Sequence, residues 1–232
     1  MRARWKERFI NGWREWGRPL LVVLLVLGSV RSALADWYVV PSGSMKPTIL
    51  EGDRILVDKL AYDLKVPFAG WRVADWAEPR RGDVVVFSSP ADGKRMVKRI
   101  VGLPGDRLEM RENRLRVNGE AVVYGPIDED FIRQIEEGDR PRHRFAAEKL
   151  GHRVHPVMST PQRPARRSFG PLVVPLGQYF VLGDNRDDSF DSRWFGFVPR
   201  GSIVGRACGI VLSLDRQRWY WPRWHRFLRG LP

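Results

Sequence analysis

The chain has 232 residues, 43% of them apolar, enough for one medium domain or two small ones with a real core, so disorder is not the default. Lys and Arg number 40 against 27 Asp and Glu, a surplus of +13 that suits nucleic acid, anionic lipid or plain solubility. No helix-turn-helix pattern or RNP-type aromatic segment accompanies the charge, so no nucleic-acid partner is expected.

The cysteine and histidine content narrows the chemistry. The single cysteine, Cys208, excludes an intramolecular disulfide and a paired-Cys zinc cluster, and it lies in the apolar stretch 202–214, which predicts a buried, inert thiol. The four histidines, His143, His152, His155 and His225, have no HExxH spacing, so neither a metal nor another cofactor is expected.

Residues 1–18 form a basic flank, with Arg2, Arg4, Lys6, Arg8, Arg14 and Arg18 opposed by Glu7 and Glu15. Residues 19–30 (PLLVVLLVLGSV) carry no charge, and apolar character resumes after Arg31 in Ala33, Leu34, Ala35, Trp37 and Tyr38. A bilayer core takes about 20 helical residues, so 19–38 is predicted as one transmembrane anchor with Arg31 snorkelling. The positive flank places the N-terminus in the cytosol and the rest outside; in a bacterium this is an inner-membrane protein facing the periplasm or outer surface. The same segment also has the form of a cleavable signal peptide ending in Ala33-Leu34-Ala35.

Beyond residue 38 the chain reads as short β-branched runs separated by Gly, Pro and Asn: 54–58, 83–88, 96–101, 108–110, 115–117, 121–123, 179–182 and 202–214. Asn118-Gly119 lies between LRV and EAV and predicts a type I′ hairpin, whose two central residues need positive φ. Residues 124–170 change character, with helix-capable pieces at 128–137 and 145–150 and an exposed Pro, Arg and Ser mixture at 156–168. The tail 216–229 interleaves Trp219, Tyr220, Trp221, Trp224 and Phe227 with arginines, a composition suited either to membrane headgroups or to packing on the body.

The segment Pro41-Ser42-Gly43-Ser44-Met45-Lys46-Pro47-Thr48 fits neither the G-x-S-x-G elbow nor S-x-x-K. A serine there needs a neighbouring base, and a lysine serves only when burial keeps it neutral. In 95–101 (RMVKRIV), alternation puts Lys98 between Met96 and Ile100 on one face and sends Arg99 to the other. Lys46 is a local rival, but its polar surroundings offer no desolvation. The loop GDNRDDSFDSR at 183–193 is acidic, yet it lacks the EF-hand glycine and final glutamate, and Arg186 and Arg193 supply counter-charges.

Three segments together, PSGSMKPT with EGDRILVDK, VKRIVGLPGD, and GDNRDDSFDSRWFGFVP, resemble bacterial type I signal peptidases (leader peptidases). The resemblance implies a Ser/Lys dyad: Ser44 matches the nucleophile, Lys98 the general base, and Ser42 the side chain that joins the Ser44 N–H at the oxyanion. Ser189 matches the hydroxyl that orients the lysine amine, and Asp184, Arg186, Asp191 and Arg193 match loop residues held by ion pairing. Val40, Pro41, Met45, Ile49 and Val97 match positions lining pockets for small residues before the cut, hence an A-x-A preference.

The implied fold is mainly antiparallel β: a catalytic domain (39–102 and 171–214) interrupted by a smaller β subdomain (103–170), with the anchor before it and an unmatched tail (215–232) after it. The implied partners are signal peptides of exported preproteins and membrane lipid. Two other readings stand beside this one, a LexA-like self-cleaving Ser/Lys protein and an inactive, membrane-tethered peptide-binding module.

Overall fold

The structure, a computed structural model, describes residues 13–66 and 71–232 and, of residues 30–33, the backbone alone. The arginines and lysine of the basic flank at positions 2, 4, 6 and 8 lie outside the described residues, and so does the side chain proposed to snorkel at position 31.

A helix over Arg18–Ala33 follows a short π turn, Trp13–Gly17. Its 16 residues span about 24 Å at 1.5 Å per residue, and among the described residues no helix is long and apolar enough to cross a membrane. The expected anchor over 19–38 is therefore corrected at its C-terminal end. Ala35–Val39 is a strand, β1, paired antiparallel with β2 (Asp53–Asp58) from Ala35↔Asp58 to Val39↔Arg54. Its backbone groups are taken up by that ladder, which leaves none to continue a helix.

The main sheet contains nine described strands, all paired antiparallel, with the path β1, β2, β16 (Ile203–Asp215), β5 (Val84–Ser88), β6 (Arg95–Gly102), β14 (Gln178–Leu182) and β15 (Val198–Pro199). Both faces of its centre are covered, which explains why β5 reads as an unbroken apolar run. Val84 and Val86 enter one core with Met45, Ile49, Ile55 and Ile210, while Val85 and Phe87 enter a second with Ile100, Tyr179 and Val181. A mainly antiparallel β architecture is what the short β-branched runs called for.

Strands β3 (Asp63–Lys65) and β4 (Arg72–Asp75) pair with each other, and residues 103–174 add further small sheets. One contains β7 (Arg107–Arg111), β8 (Arg114–Val117), β9 (Glu120–Ala121) and β13 (Phe169–Val173). Asn118 (φ 54°) and Gly119 (φ 86°) turn β8 into β9, as the hairpin reading required. Another contains β10 (Val123–Gly125), β11 (Arg144–Leu150) and β12 (Arg153–Ser159).

Several local expectations give way here. Residues 145–150 are strand, because β11 is paired on both sides and buries Glu148 and Leu150, so tertiary pairing overrides helix propensity. The helix expected over 128–137 covers only Glu129–Arg133, capped by the Asp128 carboxylate. The run 121–123 is split because Glu120–Ala121 pairs with β8 and Val123–Gly125 with β11. Of 156–168, the first four residues are strand, and the rest is tied down by Arg167 to Asp187 and by Arg163 to Asp188.

Cys208 is exposed, contrary to expectation. A register shift between Ala207 and Gly209 places two residues of β16 against one of β2 and turns the thiol outward. The tail packs on the body through β17 (Trp221–Pro222) and β18 (Arg229–Gly230), both paired with β16, and through Arg226, which is fully buried against Asp53. Trp219, Tyr220, Trp221 and Trp224 point outward instead.

Candidate active site

Ser44 sits in a single 3₁₀ turn, Gly43–Met45, between β1 and β2. The turn is fixed from below by burial of Met45 and Ile49 and from the side by Asn185, whose backbone N–H donates to Ser44 O (3.1 Å) and whose Nδ2 donates to Gly43 O (3.1 Å). Thr48 donates its hydroxyl to Asp184 Oδ2, tying the far end of the turn to the same loop.

Lys98 comes from β6, where it lies opposite Val85 of β5. It is only 3% exposed, and its Nζ donates to Ser44 Oγ at 2.7 Å and to Val97 O at 3.0 Å. Burial draws its pKa down to about 8; Asp191 and Asp184 oppose the shift, and Arg193 adds to it. Above about pH 8 this amine is largely uncharged, and a neutral amine so placed can accept a hydroxyl proton.

Lys46, the local rival, turns away and pairs with Glu51 at 2.9 Å, with both side chains partly exposed. Ser42 caps the turn in an extended conformation and holds its Oγ 3.5 Å from Ser44 Oγ. Ser189 Oγ is buried without a hydrogen-bond partner, so the structure does not join it to the Lys98 amine. Ser189 and Ser44 nevertheless flank one residue, Gly183, where a Cβ would collide with Ser189 Oγ and Ser44 O.

Of the residues matched to substrate pockets, Val40, Met45 and Ile49 are sealed in the core, Val97 packs against it, and Pro41 is exposed. A cavity of about 560 Å³ elsewhere in the protein touches neither Ser44 nor Lys98.

The loop over 183–193 is a network of buried ion pairs. Arg99 is fully buried and grips Asp184 with Nε (2.9 Å) and Nη2 (2.8 Å). Arg193 grips Asp191 in the same two-pronged way at 2.8 Å, and Asp191 also accepts from Gly183 N. Arg186 pairs with Glu148 of β11 at 2.5 Å. Burial alone would raise the Asp184 and Glu148 carboxyls, but Arg99 and Arg186 respectively hold them below the usual carboxylate range. His155 Nε2 lies 3.3 Å from Glu148 Oε1, and burial together with Arg99 depresses its pKa.

Sequence reasoning missed Thr48, Asn185, Arg99, Glu148 and His155. Asn185 and Thr48 stand inside quoted motifs, and the signal for Arg99 was a charge within an apolar strand. Nothing local marked Glu148 or His155: the charge partner of Glu148, Arg186, lies 38 positions on, and Glu148 and His155 face each other only once β11 and β12 pair.

A family model described as "Signal peptidase, peptidase S26" matches residues 13–212. The chain belongs to this family. The resemblance carried by the three motifs is thereby borne out, and the chain is a peptidase of the S26 family. It is 37% identical to a "Signal peptidase I" of Pseudomonas aeruginosa over 86% of this chain and 72% of the relative. It is 34% identical to a "Signal peptidase I" of Haemophilus influenzae over 93% and 74%, respectively. A solved signal peptidase I from Enterococcus faecalis is 34% identical, covering 56% of this chain and 97% of that one with a TM-score of 0.34.

Proposed function

We propose that this signal-peptidase family member is a membrane-bound serine endopeptidase that removes signal peptides from exported preproteins after an A-x-A-type site. The observation that carries the reading is the 2.7 Å contact between Ser44 Oγ and a buried lysine amine whose pKa is lowered to about 8. Ser44 Oγ attacks the scissile carbonyl carbon as its proton passes to neutral Lys98 Nζ. The Ser44 N–H and the Ser42 hydroxyl take the negative charge that develops on the carbonyl oxygen. The C–N bond breaks as Lys98 returns that proton to the leaving amine. Water then attacks the Ser44 ester, again through Lys98, and frees the serine.

Ser189 serves this scheme by orienting the amine. Its unpartnered hydroxyl is a donor or acceptor ready for that task once Lys98 changes protonation. Asp184, Arg186, Asp191 and Arg193 keep the loop against the Ser44 turn. Pro41 and Val97, backed by buried Val40, Met45 and Ile49, form the shallow apolar wall that selects small side chains. Mass spectrometry of an exported precursor incubated with the intact protein, Ser44→Ala and Lys98→Ala tests the scheme. Cleavage after A-x-A by the intact protein alone is expected, and cleavage by either variant at the intact rate would overturn it.

The membrane part of the proposal, a single pass at the bacterial inner membrane with the enzyme on the outer side, rests on exposed apolar surface. Residues 20–27 are each about half exposed around the N-terminal helix, and the aromatics Trp37, Trp219, Trp221 and Trp224 are exposed as well. Retention in the membrane pellet through an alkaline carbonate wash is expected, and release into the supernatant would rule out a spanning anchor.

A further inference from the structure

The 560 Å³ cavity touches neither Ser44 nor Lys98, although Arg186 of the supporting loop lines it. It has the size of a small-molecule site and lies where β8, β10 and β11 meet residues 186 and 187. Its wall carries Arg114, Arg144, Arg167 and Arg186 against two acids, Glu112 and Asp187.

The acids are already engaged. Asp187 is buried and accepts from Arg167, from Asn113 Nδ2 (2.8 Å) and from Thr160 N (2.9 Å), while Glu112 is exposed and accepts from Ser168. Of the arginines, Arg167 is spent on Asp187 and on the Thr160, Pro161 and Arg163 carbonyls, while the other three keep spare donors. Arg186 is 2% exposed, and its Nη1 has no hydrogen-bond partner although Nη2 holds Glu148. Among the described residues, Arg114 and Arg144 have no acidic partner within 4 Å, and the Arg114 guanidinium is held 4.4 Å over the Tyr124 ring. Asn113 Oδ1 is likewise buried without a partner. A buried guanidinium N–H left unpaired is costly, and Arg186 Nη1 is one; with the exposed, acid-free Arg114 and Arg144 on the rim of the same cavity, the site suits an anion.

We propose that this cavity binds a phosphate group, free or as the phosphoglycerol head of a lipid. Guanidinium forks match phosphate oxygens two at a time, and several forks converge better on a tetrahedral group than on a planar carboxylate. Asn113 Oδ1 accepts the hydroxyl proton that phosphate or a glycerol ester carries and that an ionised carboxylate lacks. The site stands independently of the cleavage mechanism, although it adjoins it: Arg186 follows Asn185, which holds the Ser44 turn.

Isothermal titration calorimetry of the full chain in detergent, with inorganic phosphate, glycerophosphoglycerol or acetate at matched ionic strength, tests the site. Saturable one-to-one binding of a phosphate compound is expected, about tenfold weaker in Arg114→Gln/Arg144→Gln, whose side chains are exposed and outside the ion-pair network. Tighter binding of glycerophosphoglycerol than of phosphate assigns the site to a lipid head, and the reverse order assigns it to the free ion. No saturable binding, equal binding of acetate, or equal phosphate binding by the double variant would overturn the proposal. A thermal-unfolding scan showing the variant's midpoint unchanged without ligand confirms that it is folded.

Discussion

Lys98 and Arg99 are neighbours on β6, both buried, and their surroundings differ in kind. Lys98 meets only neutral oxygens, those of Ser44 and Val97, whereas Arg99 is gripped by the Asp184 carboxylate and also donates to Gly82 O and Pro232 O. Burial of a lysine makes a base only while carboxylates are kept from pairing with it. The two acids that most oppose the lowered pKa of Lys98, Asp191 and Asp184, are each taken by an arginine. The ionic region thus protects the neutral one, and it does so by satisfying its own charges locally.

The sharpest way to break this contrast is Lys98→Met. Cleavage is expected to fall about 10⁴-fold or more, since partners of one catalytic unit fail together. Stability is expected to move the other way. The folded-state pKa of about 8 lies below the ordinary 10.5, so between these values the unfolded chain binds more protons, and stability of the intact protein rises with pH across that window. Below pH 8 the buried ammonium costs on the order of 3 kcal/mol, which Lys98→Met removes. Urea unfolding at pH 7 and pH 10 checks this. A variant no more stable than the intact protein at pH 7 would mean that the lysine is not desolvated.

Asp184→Asn attacks the other side of the comparison by leaving Arg99 buried without its counter-ion, at an expected cost of about 3–5 kcal/mol by chemical denaturation. Because Asp184 raises the Lys98 pKa, any activity that survives should have its pH midpoint shifted downward. An unchanged midpoint would uncouple the two regions. In the intact enzyme, kcat/KM should rise through about pH 8 as Lys98 loses its proton, and a flat profile from pH 6 to 9 would argue against lysine as base. The smallest effect belongs to Lys46→Met. Its partly exposed pair with Glu51 contributes at most about 1 kcal/mol, and the pH midpoint should stay where it was.

Much of the β architecture was legible because its signals are local. Apart from the split run 121–123, the β-branched runs became strands within a residue or two of their expected ends, and Asn118-Gly119 made its hairpin, since positive φ at both positions is a property of those residues alone. Phe145 and its neighbours failed the same test. Helix propensity favoured one state there, and pairing on both edges of β11 imposed the other. Cys208 was misplaced for a related reason: alternation predicts a face only in an unbroken ladder, and β16 carries a bulge at that point.

By itself, then, the sequence determined the strand and turn grammar, the family, and the serine and lysine worth testing. Only the tertiary structure decided that these two side chains meet at 2.7 Å, that Arg99 is buried beside them, and that the helix stops at Ala33. The physical reason is that pattern and propensity act over a few residues, whereas burial and hydrogen bonding depend on partners as far apart as Arg226 and Thr48, 178 positions from each other.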